Sequence, residues 1–188
     1  MNADFISDGN VDTVKLVQQI EVTSSTLTII LSDENITQDN IMSSIANTIR
    51  TSSEIINLTT DIGSIVNQVA IDNTTIEMSE TLKNNSVSFI ENINLSISSI
   101  TAEPGTSDIF ENIMRQSVIT TVATSNVLTD TTTIDFNNVS LNISDIVSTV
   151  NTETSNVVIN VIYQPDPEQY QVEISLLEGW NMIGVSSN

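Results

Sequence analysis

Carboxylates are the side chains of this sequence that are numerous enough to do chemistry. Asp and Glu number 24 against four Lys and Arg, and the 188 residues include neither Cys nor His. The usual nucleophile and base pairs, structural zinc and disulfides are therefore excluded. Carboxylates could still serve in glycoside hydrolysis or in calcium binding. No spacing between them marks the pair that a glycosidase needs.

The segment Asp8-Gly9-Asn10-Val11-Asp12 has the small and acidic residues of a calcium loop. It lacks the full series of ligands and the closing Glu, so a surface turn is the better interpretation. Calcium stays a possible cofactor, bound by carboxylates clustered where modules meet. We predict no other cofactor.

A formal net charge of -20 repels DNA, RNA and anionic membrane surfaces. No apolar run is long enough to span a bilayer, and the first residues lack the pattern of a signal peptide. Asn, Ser, Thr and Ile dominate the composition, which suits a secreted or virion module. We predict no nucleic-acid partner, no membrane insertion and an extracellular, cell-surface or virion location.

Internal repetition is the strongest pattern in the sequence. Asn40-Ile41-Met42 recurs 72 residues later as Asn112-Ile113-Met114. Residues 14–22 match residues 87–95 in class at nearly every position, at a spacing of 73. Two independent matches at almost one spacing predict a tandem array of modules.

The elements that would form the first module follow from residue periodicity and from turn residues. Hydrophobic residues alternate with polar ones between Ile20 and Leu31, as in a half-buried strand. Thr37 can cap a helix with Ile41, Ile45 and Ile49 on one face. A hairpin from Ile55 to Ile71 turning at Gly63-Ser64, a short helix from Ile76 to Lys83 and a strand with Val87 and Phe89 complete the order βαββαβ.

The second module repeats that order. It begins with a strand that contains Ile93, Leu95 and Ile97. A helix capped by Ser107 follows, with Phe110, Met114, Val118 and Val122 as its apolar stripe. A hairpin from Thr133 to Ile143, a short helix from Ser144 to Val150 and a strand from Val157 to Tyr163 complete the module. The predicted fold class is α+β, with two tandem ferredoxin-like modules, each an antiparallel sheet with helices on one face.

The predicted division has four parts. Residues 1–19 are the tail of a preceding module, 20–91 and 92–164 are the two modules, and 165–188 are a linker and the first strand of a further module. The chain is thus expected to be cut from a longer array. A trimeric coiled coil from Ile62 to Ile100 is the alternative, but a stretch so rich in Asn, Ser, Thr and β-branched residues is not typical of coiled coils.

Gly63-Ser64-Ile65-Val66, at the predicted hairpin, resembles the Gly-Ser-aliphatic motif of SEA domains, which are extracellular modules with the βαββαβ order. Some members cleave themselves at this motif. The resemblance implies that Ser64 would be the nucleophile and Gly63 the acyl donor, helped by strain in the turn. The simpler interpretation is that Gly63 supplies the positive φ of the turn.

Near the end of the chain, residues 178–184 resemble the Gly-Trp-Asn segment that opens modules in large marine viral and bacterial surface proteins. We therefore predict a non-enzymatic structural or adhesive spacer of an extracellular or virion-surface repeat protein. Its expected partners are neighbouring modules or protein subunits, with glycans as a further class. The alternatives are a calcium-stiffened binding module and a SEA-like module cleaved at Gly63-Ser64.

Overall fold

The computed structural model describes residues 10–32, 36–53, 56–73, 77–103, 105, 108–130 and 134–157. These residues form six helices and no strand. The helices are α1 (Val11–Ile30), α2 (Gln38–Thr51), α3 (Ile62–Asp72), α4 (Glu80–Ser99), α5 (Ile109–Asp130) and α6 (Ile143–Thr154). The part of the chain that the structure describes is therefore all-helical.

The predicted α+β fold, with its ferredoxin-like and SEA-like modules, is wrong. The predicted strand between Ile20 and Leu31 lies in α1, and the predicted strand around Leu95 lies in α4. Ile93 and Ile97 are buried, but Leu95 between them is 57% exposed. A strand would place all three side chains on one face, whereas a helix separates the middle one from its neighbours. The predicted strand at 157–163 lies, after its first residue, outside the described residues.

Hydroxyl groups explain how a sequence with strand-like composition forms helices. Thr and Ile are β-branched and have modest helix propensity. In the helices, however, many Thr hydroxyls donate to the carbonyl four residues earlier, as Thr23 does to Gln19 at 2.7 Å and Thr124 does to Thr120 at 2.8 Å. A hydroxyl satisfied within its own helix can be buried at low cost. Packing then outweighs the weak local preference.

The predicted helix after Thr37 is confirmed as α2. The Thr37 hydroxyl accepts from the backbone N–H of Asn40, and the Asn40 side chain bonds back to the backbone N–H of Thr37 at 3.1 Å. Ile41 and Ile45 are buried as expected, but Ile49 is half exposed. Helix α2 thus forms where its cap and periodicity indicated.

A helix was also predicted where α5 lies, but its predicted apolar stripe is not the buried face. Met114 is exposed, and Phe110, Val118 and Val122 are only partly buried. More than half of the residues on the buried face are small or hydroxylated. The buried face consists of Ile113, Ser117, Thr120, Thr121, Ala123, Thr124, Val127 and Leu128. The predicted cap, Ser107, lies outside the described residues.

Helices α1 and α4 run antiparallel through the middle of the fold. The Lys15 ammonium donates to the Ser98 carbonyl at 2.8 Å, and the Gln19 amide donates to the Asn94 carbonyl at 2.9 Å. Helices α2 and α5 pack against α1, while α3 and α6 pack against α4. The helical pairs α2–α3 and α5–α6 therefore flank the central pair, and one continuous hydrophobic core draws residues from all six helices.

The sequence repeats map onto the order of the helices. Residues 14–22 and 87–95 lie in α1 and α4, and the two Asn-Ile-Met segments lie in α2 and α5. A further match precedes α3 and α6, where Asn57-Leu58-Thr59 is followed 81 residues later by Asn138-Val139-Ser140. In the sequence, α4, α5 and α6 thus repeat the order of α1, α2 and α3, and each set of three helices is called a three-helix unit below.

The turns at this further match have the same hydrogen bonds. The Asn57 side-chain oxygen accepts from the backbone N–H and the hydroxyl of Thr59 at 3.0 and 2.7 Å. The Asn138 oxygen accepts from the same two groups of Ser140 at 2.9 and 2.7 Å. An Asn or Asp side chain bonded in this way closes a turn without help from the rest of the chain.

The predicted module limits fall within helices, since residues 19 and 20 both lie in α1 and residues 91 and 92 both lie in α4. The division of the chain at those limits stays a prediction. The alternative of one long helix from Ile62 to Ile100 is not formed, because α3 ends at Asp72 and α4 begins at Glu80.

Two alanine substitutions on α4 distinguish the helix from the predicted strand. We expect Ile93→Ala to lower the free energy of unfolding by about 2–5 kcal/mol, because it opens a cavity in the core. We expect Leu95→Ala to change it by no more than about 0.5 kcal/mol, because that side chain is largely exposed. Urea unfolding followed by circular dichroism measures both values, and similar losses for the two variants would contradict the helix.

Candidate functional site

A cleft of about 480 Å³ lies between α1, the end of α2 and the segment that leads to α3. Its lining consists of Leu16, Ile20, Ile49, Ser52, Ser53, Ile56 and Leu58. Leu16 and Ile49 are 45% and 50% exposed although both are large aliphatic residues. A concave apolar surface of this size is suited to holding an apolar side chain or a small apolar ligand.

The local structure of α1 and α2 gives the cleft its walls. Leu16 and Ile20 are four residues apart in α1 and therefore lie on one face of that helix. Ile49 lies in the last turn of α2, which ends at Thr51. Ser52 then takes an extended conformation, with φ -65° and ψ 138°, and the chain leaves the helix direction there. Ile56 and Leu58, in the segment before α3, complete the lining.

Beneath the cleft, a buried side-chain amide fixes the position of Leu58. The Asn94 amide nitrogen donates to the Leu58 carbonyl at 2.8 Å and to the Thr23 hydroxyl at 3.2 Å. The Asn94 backbone carbonyl accepts from the Gln19 amide at 2.9 Å. All three side chains are buried, and their hydrogen bonds join α1, α4 and the turn before α3. Because buried hydrogen bonds in a low dielectric are costly to break, this cluster holds the Leu58 part of the cleft wall in place.

Helix α4 holds the matching turn before α6 through a second asparagine. The Asn85 amide nitrogen donates to the carbonyls of Phe136 and Asn138 at 2.9 and 3.1 Å. The Phe136 ring packs edge to face against the Phe89 ring, with centroids 5.7 Å apart. In the repeat, Phe89 corresponds to Leu16. Leu16 lines the cleft, whereas the Phe89 ring is fully buried.

Two carboxyl groups near α3 have shifted pKa values. Partial burial raises the pKa of Glu91, and the nearby Asp61 charge adds to this rise, while a hydrogen bond from the Ile62 backbone N–H opposes it. Hydrogen bonds from Asn47 at 3.1 Å and from Gln68 at 2.7 Å lower the pKa of the exposed Asp72. Neither Glu91 nor Asp72 lines the cleft, so both shifts belong to the surroundings of α3 rather than to a reacting centre.

Gly63 and Ser64 lie in the first turn of α3, where the Ser64 N–H donates to the Asp61 carbonyl at 3.0 Å. The predicted hairpin turn is wrong, and so is the predicted positive φ, which among the described glycines occurs at Gly105. The strained turn implied by the resemblance to SEA domains is thus absent at these two residues. Self-cleavage between them stays a prediction.

The other predicted sites are placed only in part. Asn10 of the possible calcium loop caps α1 and accepts from the Thr13 N–H at 3.1 Å, while Asp8 and Gly9 lie outside the described residues. Within the described ranges, no group of three or more acidic side chains could hold a metal ion. The Gly-Trp-Asn segment at 178–184 also lies outside them.

Sequence analysis missed both the cleft and the Asn94 cluster. The alternation of Ile93, Leu95 and Ile97 indicated a strand, and no role was predicted for Asn94. The sequence does contain a signal for the two turns. Asn-x-Thr at residues 57–59 recurs as Asn-x-Ser at residues 138–140, and each is followed by the pattern Ile-x-x-Ile-Val-x-x-Val, which lies in α3 and in α6. That pattern has helical spacing in both copies.

Comparison with protein-family models, curated proteins and solved structures found no match. None of the described helices combines the length and the apolarity needed to cross a membrane. The described residues form two successive sets of three helices, with an apolar cleft beside the first helix. The function of the protein is therefore argued from its own geometry.

Asn94→Asp tests the buried amide cluster. The substitution replaces the group that donates to Leu58 with a buried carboxylate, and we expect a loss of about 3 kcal/mol or more of unfolding free energy at pH 7. Burial raises the pKa of such a carboxyl in the folded state, so the folded chain binds its proton more tightly and the loss shrinks as the pH falls through that pKa. Urea unfolding at several pH values measures this dependence.

Asn92→Asp is the matched control, because Asn92 is exposed in the same helix and its side-chain amide donates to the Ser88 carbonyl four residues before it. It adds the same charge to the chain, so the general effect of pH on a highly acidic protein cancels in the comparison. A penalty for Asn94→Asp equal to that of Asn92→Asp at every pH would contradict the proposed role of the cluster.

Proposed function

We propose that the protein is a non-enzymatic structural or adhesive spacer of an extracellular or virion-surface repeat protein. The observation that carries this proposal is the duplication of the three-helix unit, with α1 and α4 packed against each other at the centre. Repeated units that bury apolar surface against their neighbours are a common way to build long, stiff assemblies. A protein of this kind acts by its shape and surface rather than by a reaction.

The surface chemistry supports the same proposal. The net charge of -20 keeps copies apart in solution and opposes binding to other polyanions. Lys15 donates to the Ser98 carbonyl, and Arg50 donates to the side-chain oxygen of Asn47, so both cations bind neutral oxygens. Lys83 forms an ion pair with Glu80 at 3.1 Å. The exposed hydroxyl and amide groups of the helices are suited to hydrogen bonding with polar partners, such as a neighbouring module or a glycan.

Mechanical unfolding tests the spacer as one unit. Because one core contains residues from all six helices, we expect the whole chain, pulled between two reference domains, to unfold in a single step. That step should release roughly 500 Å of extended chain, from about 150 residues at about 3.4 Å each. Single-molecule force spectroscopy measures the released length. Two separate steps of about half that length would indicate two independent modules.

Location tests the extracellular or virion part of the proposal. We expect antibodies raised against the purified chain to label the outside of intact cells or particles that carry the protein. Immunogold electron microscopy detects the label, and permeabilised samples serve as the control. Labelling that appears only after permeabilisation would overturn this part of the proposal.

A further inference from the structure

The Asn94 side chain has hydrogen-bond partners at only one of its two polar ends. Its amide nitrogen donates to the Leu58 carbonyl at 2.8 Å and to the Thr23 hydroxyl at 3.2 Å. Its amide oxygen is buried and accepts no hydrogen bond from the part of the chain that the structure describes. An acceptor that is buried without a donor is costly, and such groups in folded proteins are generally paired with the protein or with an ordered water.

Reversing the amide does not give this oxygen a partner. Reversal would place the oxygen where the nitrogen now lies, 2.8 Å from the Leu58 carbonyl oxygen, and two acceptors would then face each other. The Thr23 hydroxyl gives its proton to the Gln19 carbonyl, so toward Asn94 it acts as an acceptor. Both neighbours therefore require the amide nitrogen on their side, and the oxygen is left on the other side.

The backbone donors around Asn94 already have acceptors. Inside α1 and α4, the N–H groups bond to carbonyls four residues earlier. In the turn that follows Leu58, the N–H groups of residues 59–61 all donate to Asn57. A donor for the Asn94 oxygen must therefore come from outside these helices and this turn.

Solvent comes close to this cluster at the cleft. Leu58, whose carbonyl accepts from Asn94, lines the cleft beside α1. The Gln19 amide donates to the Asn94 backbone carbonyl, and its own oxygen is a further acceptor in the cluster. A water molecule donates two hydrogen bonds, and buried waters typically bind about three polar groups. The cluster thus offers more than one partner to a water.

We propose that an ordered water molecule belongs to the Asn94 cluster and donates to the Asn94 side-chain oxygen. The Asn94 amide then has partners at both of its ends, and the water joins the side chains that connect α1, α4 and the turn before α3. The proposal is independent of the proposed spacer function, because it concerns the core of the module rather than its partners.

Oxygen-17 relaxation dispersion tests the proposal in the full chain, because it counts the water molecules that stay bound much longer than surface water. We expect Asn94→Leu to lower this count by one relative to the native chain, since Leu offers the water no acceptor. Asn92→Leu is the matched control, because Asn92 is exposed in the same helix, and we expect it to leave the count unchanged. Equal counts for the native chain and Asn94→Leu would overturn the proposal.

A high-resolution crystal structure of the native chain is a second test that depends on no variant, and it decides the matter if Asn94→Leu fails to fold by circular dichroism. We expect a water peak about 2.5–3.0 Å from the Asn94 side-chain oxygen. A map that shows other buried waters but none at this oxygen, or that shows a protein donor there, would overturn the proposal.

Discussion

The side-chain amides of α4 are the constraint on which the arrangement of the other helices depends. Asn94 donates to the Leu58 carbonyl before α3, and Asn85 donates to the carbonyls of Phe136 and Asn138 before α6. Each bond ties a turn to the central helix at the point where the chain starts a short flanking helix. Since both turns are also closed by their own Asn side chains, α3 and α6 start from two fixed positions. The cleft follows from this arrangement, because Leu58 forms part of its wall.

The buried polar groups of this core are amides and hydroxyls. Gln19, Thr23 and Asn94 are buried together without a charged group among their hydrogen-bond partners. Burial of a charge would need a partner of opposite sign, and this chain has only four Lys and Arg. Neutral groups avoid that requirement while still fixing which residues face each other. A highly acidic chain can thus have a specific polar core.

Sequence analysis predicted some elements correctly and assigned the wrong structure to others. Helix α2 was predicted because its cap and its Ile spacing both indicate a helix. Residues 87–97 fit two kinds of element. Phe89, Ile93 and Ile97 are four residues apart, as in a helix, while Ile93, Leu95 and Ile97 alternate with polar residues, as in a strand. The β-branched composition favoured the strand, and only tertiary packing, which buries Ile90 and exposes Leu95, decides for the helix. The repeats were visible because matching of residue classes does not depend on the type of element.

The cleft could not be predicted for a different reason. Its walls come from α1, from the last turn of α2 and from the segment before α3, and no local pattern brings these together. The burial of Asn94 could not be predicted either, because a lone Asn among apolar residues is as compatible with a solvent-exposed face as with a buried one. Only the position of the Leu58 carbonyl gives that side chain its role.

The hydroxyl bonds within the helices have a consequence for how the chain folds. Helices rich in Thr, Ser, Asn and Ile are weak when isolated, because such residues add little to helix propagation. The central pair joins residues far apart in the sequence, such as Gln19 and Asn94, and α1 also packs against α5. Helix α1 therefore gains most of its packing only after α4 and α5 have been made. We therefore expect the first unit to gain most of its stability only when the second unit is present. We expect the chain to fold late and cooperatively rather than by growth from α1.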